Sequence, residues 1–351
     1  MTGAAALTRA NNDRFQQLAE RVQVMVRRSM QADVSISDFG VMEDGHAGLT
    51  YGFDVRGSDG AMRGGHILKM APAGVTRRGN TDVYRQYPLL RALKAEGLLV
   101  PEVPWASEGE DVLGAPFIVM EKLPGRVFVV WEPHASLMDD PATARSVWLQ
   151  TATLLASVHR IDWRAALPDW EAPRLLLEEI DRWKSVLRHA DNPAWAAAGQ
   201  ALDAALRASL PDPAPVGLVH GDYQPGNILF DNGQATGIID WEPASIGAQG
   251  LDVGWMLMMA DGRAWDAGWQ PVAPVAGAEI VAAYAAAGGP ALDNLAWHQA
   301  LAQYRLGAIA CLNVKLHRTS RRRDDLWERF APSIATLFGH GLRLVEGDGG
   351  A

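Results

Sequence analysis

Asp222, Asn227 and Asp240, all within "LVHGDYQPGNILFDNGQATGIIDWE" at residues 218–242, are the side chains whose types and spacing could do chemistry. Asn227 and Asp240 offer two oxygen ligands that can hold Mg²⁺ against the phosphates of a nucleotide. Asp222, five residues before Asn227, can orient an attacking hydroxyl and accept its proton. Such an arrangement suits transfer of a phosphoryl group from a nucleotide. A hairpin has to bring the three together. "GLVH" ends one short apolar run, "NILF" starts a second and "TGIID" forms a third, and Asn232-Gly233 between the last two is a dipeptide suited to a tight turn whose central residues both need positive φ. Such a hairpin puts Asn227, just before one strand, near Asp240, at the end of its partner. Apolar strands on both sides bury the base of the loop, which argues against a solvated hairpin that uses Asp222 and Asn227 only as turn residues. His220 is read as a packed, hydrogen-bonded loop anchor with a structural role.

The elements that position this stretch follow from periodicity. Phe15, Leu18, Val22, Met25 and Val26 recur at helical spacing and predict an amphipathic helix over 12–29. Strand-like runs follow at 33–39, 48–55 and 64–70, divided by the turn-rich "MEDGHAG" and "GSDGAMRGG". A helix over "TDVYRQYPLLRALKAEG" stops at its glycine, and two further strands are expected at 100–107 and 115–121. The first 121 residues therefore predict a small, mostly antiparallel sheet with one inserted helix. Beyond residue 125 the texture becomes helical, with helices expected at 140–160, 173–188, 193–209, 276–287, 292–317 and 324–341, and "FVVWEPHASLMDDP" connecting the two regions.

A chain of 351 residues exceeds the usual single-domain size and predicts two cores, or one large core with a lobe attached. Its 48% hydrophobic and 21% charged residues are those of a globular protein. Lys plus Arg number 32 against 41 Asp plus Glu, a formal net charge of -9 that argues against generic binding to nucleic acid or anionic membrane. Cys311 is the one cysteine, so an intrachain disulfide and a multi-cysteine metal site are excluded and a reducing, cytoplasmic setting is expected. The start "MTGAAALTRANNDRF" has no apolar signal core, and the longest apolar run, near "GWMLMMA", is too short to span a bilayer.

The Asp-x-x-x-x-Asn spacing followed by a metal-binding Asp at a strand end matches the catalytic layout of protein kinases. More narrowly, "HGDYQPGNILF", "GIIDWEPASIG" and "DVGW" resemble the aminoglycoside phosphotransferase family of the kinase-like superfamily. They look like its branch fused to certain acyl-CoA dehydrogenases, as do "LLASVHRIDW" and "LAWHQALAQYRLGAIA". The resemblance runs from about residue 35 to 340. It implies an α+β, bilobed protein-kinase-like fold: a nucleotide-binding lobe at 1–121, a linker at 122–130 and a helical catalytic and acceptor-binding lobe at 131–345, with ATP or GTP between the lobes. It also implies Lys69 of "GGHILKM" as the lysine on the α and β phosphates, Gly45 and Gly48 as the turn whose amides approach them, and Glu121 and Leu123 as main-chain contacts to the adenine edge. Asp252 resembles a family Asp that braces the catalytic loop through backbone amides. One departure stands out: Arg85-Gln86-Tyr87 has Gln86 where the family offers a Glu to the lysine, so either the Lys69 pair is weaker or Glu96 takes the role.

The acceptor is expected to be a small molecule with a hydroxyl, hydroxyacyl-CoA-like or aminoglycoside-like. Twelve of the 13 Trp lie from Trp131 to Trp327, and "DGRAWDAGW" and "LAWHQ" are candidates for an aromatic acceptor wall. "KLHRTSRRRDD" at 315–325 reads as a solvated helix end balanced by the acids that follow, or as a site for a phosphorylated or CoA-linked acceptor. The competing reading, from a different class, is a nucleotide-binding pseudokinase, which Gln86 favours and the intact Asp222, Asn227 and Asp240 oppose.

Overall fold

The computed structural model of the chain describes residues 2–42, 49–72, 74, 76–77, 79–138, 140–212 and 215–347, with the side chains of 2–12 and 80 outside that description. It divides into two compact units, Met1–Leu123 and Pro124–Ala351. Residues 124–130 of the expected linker therefore belong to the second unit.

In the first unit α1 (Thr2–Met30) is followed by β1 (Val34–Val41), β2 (Leu49–Gly57) and β3 (Met62–Met70). Two short 3-10 turns then lead into α2 (Gln86–Ala95), and β4 (Trp105–Ser107) and β5 (Phe117–Glu121) close the unit. The strands form one antiparallel sheet in the order β1-β2-β3-β5-β4. The expected strand at 100–107 shrinks to three residues because Pro101 and Pro104 have no N–H to give a ladder. α2 ends where expected, with Gly97 at φ +80.

One face of the sheet is the core of the unit. Val22, Met25 and Val26 of α1 pack on Tyr51, Phe53, Val55, Leu68, Phe117 and Val119, each buried aliphatic side chain contributing on the order of 1.5–3 kcal/mol. Gln23 fixes the helix in register: its side chain donates to Val34 O at 2.9 Å and accepts from Ile36 N at 2.8 Å. Because side chains alternate along a strand, Lys69 lies on the other face, opposite Thr50 on β2 and Ile118 on β5. A groove lined by α1 and β4 belongs to the α1 face, and Lys69 is not part of its lining.

The second unit opens with β6 (Arg126–Val127), α3 (Pro141–His159), α4 (Trp163–Ala166), α5 (Leu176–Leu187) and α6 (Pro193–Ala208). The strands β7 (Val216–Val219), β8 (Ile228–Asp231), β9 (Gln234–Ile238) and β10 (Ser245–Ala248) come next. The helices α7 (Gly250–Ala260), α8 (Gly277–Ala286), α9 (Leu295–Arg318), α10 (Leu326–Phe330) and α11 (Ser333–Glu346) complete it. β8 and β9 form the expected hairpin, joined by β6, while β7 pairs with β10 instead. Two helical expectations are corrected. The single helix predicted over 324–341 is two, divided at Pro332, whose ring cannot continue the ladder of α10. α7 shows in the sequence only as an apolar run, because nine of its 11 residues are buried and it has no polar face to reveal a helical period.

The aromatic segments singled out above are core. Trp265 and Trp269 pack with Trp131, at ring distances of 5.1 and 5.6 Å, and Trp297 donates to Leu206 O at 3.1 Å. The basic stretch is the end of α9 and the turn after it: Arg318 makes a two-pronged pair with Glu328 at 2.7 and 2.9 Å, and Arg321, Arg322 and Arg323 are exposed. No helix among the described residues is long and apolar enough to cross a membrane.

Candidate active site

The loop after β7 is built from its backbone outward. β7 is buried along three of its four residues and delivers His220 and Gly221 to the buried carboxylate of Asp252 on α7. Asp252 Oδ2 accepts from His220 N at 2.7 Å, and Oδ1 from Gly221 N at 2.8 Å. Burial opposes the charge on Asp252, yet the hydrogen bond from His159, the nearby imidazoles and the Gly221 amide outweigh it and hold its carboxyl below the ordinary range. Gly221 sits at φ +87, and a Cβ there would come within 2.7 Å of Pro243 O, so no other residue fits this corner.

His220 is an anchor. Its Nε2 lies 2.9 Å from Ile239 O, a group that can only accept, so Nε2 carries the proton and Nδ1 accepts from Asp222 N at 3.3 Å. The ring packs against Trp241 and Tyr223, and the Tyr223 hydroxyl donates to Thr151 O on α3 at 2.9 Å. The loop is thereby fastened to α3, α7 and the start of the segment after β9.

The three chemical side chains are arranged by the hairpin. Asn232 and Gly233 have φ of 48 and 75, the pair of positive values that the turn requires. Ile239 N donates to Asn227 O at 2.9 Å, tying the residue before Asp240 to Asn227. Asn227 spends its amide nitrogen on Asp222, reaching the carbonyl at 2.7 Å and Oδ2 at 3.0 Å. That fixes the amide's orientation and leaves its Oδ1 as the atom able to meet a cation. Asp240 occupies the left-handed region at φ 62, a conformation Asp tolerates better than most residues.

Asp222 is half-buried and receives Gln224 Nε2 on Oδ1 at 3.0 Å. Burial raises the proton affinity of its carboxyl; the charge of Arg305 pulls it back and that of Asp240 pushes it up. Arg305, on α9, also donates to the Gly221 carbonyl, and its guanidinium lies between the rings of Trp183 and Trp255, at 4.9 and 4.5 Å.

The residue set fits a magnesium ion that arrives with a nucleotide. No group of three or more His, Cys, Asp or Glu side chains among the described residues could hold a metal by itself. One amide oxygen and one carboxylate are hard ligands, too few for a closed cage, and Mg²⁺ commonly completes its shell with phosphate oxygens and water.

The first unit places the remaining expected residues as follows. Lys69 is half-buried on the sheet face away from α1, and Gln86 is buried at the N-terminal end of α2 with its Nε2 lacking a partner. Glu96 is exposed at the opposite end of α2, ten residues or about 15 Å along the helix from Gln86, so the helix cannot present both to one lysine. Glu121 N is already committed to Glu102 O at 2.8 Å, which removes its N–H from the expected adenine contacts, while Leu123 lies outside both ladders. Gly45 and Gly48 fall outside the described residues.

Four participants were missed in the sequence: Gln224, Arg305, His159 and Tyr284. His159 Nε2 donates to Asp252 Oδ2 at 3.3 Å, and its Nδ1 accepts from the Tyr284 hydroxyl at 2.8 Å. Gln224 lay inside the quoted motif and could have been weighed by proximity; the other three are joined to the loop only by the fold.

The profile of the phosphotransferase enzyme family known as APH matches residues 58–301. The chain belongs to that family. Among curated relatives of this APH chain, the probable acyl-CoA dehydrogenase IBR3 of Arabidopsis thaliana is 29% identical over 234 residues, covering 63% of the chain and 28% of that protein. Hygromycin-B 4-O-kinase of Escherichia coli is 26% identical over 231 residues, covering 62% of the chain and 61% of the enzyme. The chain spans between 18% and 28% of the length of the acyl-CoA dehydrogenase relatives. Among solved structures, a Ralstonia eutropha protein assigned as an aminoglycoside phosphotransferase shares the fold at 19% identity and a TM-score of 0.74, over 93% of this chain and 98% of that one. The GDP and kanamycin complex of an APH(2") enzyme follows at 18% identity and 0.59, over 93% and 97%. Together these establish an α+β, protein-kinase-like fold in a chain of the APH phosphotransferase family.

Proposed function

We propose that this APH-family chain transfers the γ-phosphoryl group of ATP or GTP to a hydroxyl of a small molecule, hydroxyacyl-CoA-like or aminoglycoside-like. The observation that carries the reading is the hydrogen-bonded unit of Asp222 and Asn227, with Asp222 on a loop pinned at two backbone amides by Asp252. Asp222 aligns the acceptor hydroxyl and takes its proton; Asn227 holds that carboxylate in place through its amide nitrogen. Asn227 Oδ1 and Asp240 would hold Mg²⁺, which supplies charge neutralisation on the phosphates when bound. Lys69 contributes the charge of the first unit to the α and β phosphates. Most of the rate comes from positioning and from fixed charge, since phosphoryl transfer leaves little covalent chemistry to the protein. ADP and GDP complexes among the structural neighbours support a nucleotide donor. A cytoplasmic setting, with Cys311 a buried thiol, is part of the same proposal.

The test is nucleotide consumption by the purified protein with Mg²⁺ against aminoglycosides, macrolides, choline-like alcohols, sugars and hydroxyacyl-CoAs, with Asp222→Asn as the blank. Stimulation by one class, absent in the variant, establishes the kinase and its acceptor chemistry together. One observation favours the pseudokinase reading: Gln86 is buried and uncharged where a carboxylate would pair with Lys69. Nucleotide binding that depends on Lys69 and Asp240, with no stimulation by any acceptor, would move the balance to it.

A further inference from the structure

Next to the catalytic loop, α5, α7 and α9 enclose a small pocket that collects hydrogen-bond donors. Its lining includes Arg174, Arg182, Trp183, Trp255 and Arg305, together with Gly221, and it offers about 20 Å³, room for one or two water-sized groups. Two donors of this lining, Arg305 Nε and Trp255 Nε1, are buried and have no partner, and no side-chain acceptor of the lining is left in that state. The one carboxylate of the lining, Glu179, is already engaged: Arg174 donates to it at 2.5 Å, Trp183 Nε1 at 3.0 Å, and Arg182 lies at 3.7 Å. The lining thus carries three guanidiniums and one satisfied acid, while Asp222 and Asp252, outside the lining, also act on Arg305.

Buried N–H groups without acceptors are uncommon, and their arrangement says what would satisfy them. A water accepts from both donors but then needs acceptors for its own two hydrogens. An anion accepts from both and needs none, and its charge is matched by the guanidiniums. Arg174 and Arg182 are 29% and 38% exposed, so they give the pocket a charged, accessible rim above its buried donors.

We infer that this pocket binds a small monoanionic group, held by Arg305 Nε–H and Trp255 Nε1–H with Arg174 and Arg182 at the rim. Because Arg305 also donates to the carbonyl of Gly221, the occupant touches the residue that supports the loop carrying Asp222. The anion arrives free or as the acidic end of the acceptor; the second case rests on the phosphotransfer reading, and the binding site itself does not.

Crystals equilibrated with sodium bromide provide the direct probe. The expected result is an anomalous bromide peak within hydrogen-bond distance of both nitrogens, weakened at least tenfold in Trp255→Phe, which keeps a ring against Arg305 but has no donor. Arg174→Met serves as the second variant should Trp255→Phe fail to fold, with the same loss expected. No peak in the wild-type pocket, or one unchanged in both variants, overturns the inference and leaves the two donors to ordered water. Acetate then separates the sources: inhibition competitive with the acceptor assigns the group to the acceptor's acidic end, and an effect independent of acceptor concentration assigns a free anion. The bromide experiment requires no turnover, so its failure is distinct from failure of the phosphotransfer assay.

Discussion

Asp222 has to be ionised in surroundings that resist its charge. Burial and the neighbouring charge of Asp240 raise its pKa above the unfolded value, with Arg305 opposing them. Between the unfolded and the folded pKa the native state binds more protons than the unfolded chain, so stability falls as pH rises through that window, and the penalty is complete above it. Asp222→Asn removes the penalty. The variant is expected to be more stable than the wild type at neutral pH, with the difference vanishing below the ordinary carboxylate range, while turnover drops roughly 10²–10⁴-fold, the usual worth of a positioned acid or base. Denaturant titrations at the two pH values, set beside kcat, check both halves, and undiminished turnover removes Asp222 from the mechanism. Arg305→Met deletes the opposing charge and so raises the proton affinity of Asp222 further. The acid limb of the kcat/KM profile should move to higher pH, and Arg305→Lys, which keeps the charge, should move it less; an unmoved limb in Arg305→Met denies the coupling.

At the scale of elements, the loop is held by a buried string of polar groups that crosses three helices. Tyr284 on α8 donates to His159 on α3, His159 donates to Asp252 on α7, and Asp252 accepts the amides of His220 and Gly221. Tyr284→Phe cuts the string at its far end, costing about 1 kcal/mol of stability, the net worth of one hydrogen bond. It should lower kcat while leaving the KM for nucleotide unchanged, because the phenol acts through the loop; rates equal to wild type would make the string a packing feature only. Little of this string was legible in the sequence. Asn232-Gly233 announces its hairpin because a turn is a local event, and the sheet and inserted helix of the first unit show themselves through periodicity. α7 is buried on all sides and offers no pattern, and Pro332 divides a helix whose apolar spacing runs on past it. His159 and Asp252 are 93 residues apart and Arg305 and Gly221 are 84 apart, so their contacts exist only once the helices have packed.

For the molecule as a whole, the question is how a chain of net charge -9 accepts a polyanionic nucleotide. Long-range attraction does not help, since the mean field of an acidic protein opposes the approach of phosphates. On the proposed reading the charge is supplied locally, by Lys69 and by a cation on Asn227 and Asp240. Any ligand that binds only the folded state raises its stability by mass action, by about 2.7 kcal/mol at one hundred times the dissociation constant. ATP or GTP with Mg²⁺ is therefore expected to raise the thermal midpoint of the wild type, and chelation by EDTA should remove most of the gain. Lys69→Met and Asp240→Asn should each forfeit it, because on the proposed reading the phosphates need both charges. Asp222→Asn should keep it, since the proposed role of Asp222 is toward the acceptor and not the nucleotide. Stabilisation that persists in EDTA and in Asp240→Asn would take the metal role away from Asp240. Whichever of ATP and GTP gives the larger shift names the preferred donor without requiring the acceptor to be known.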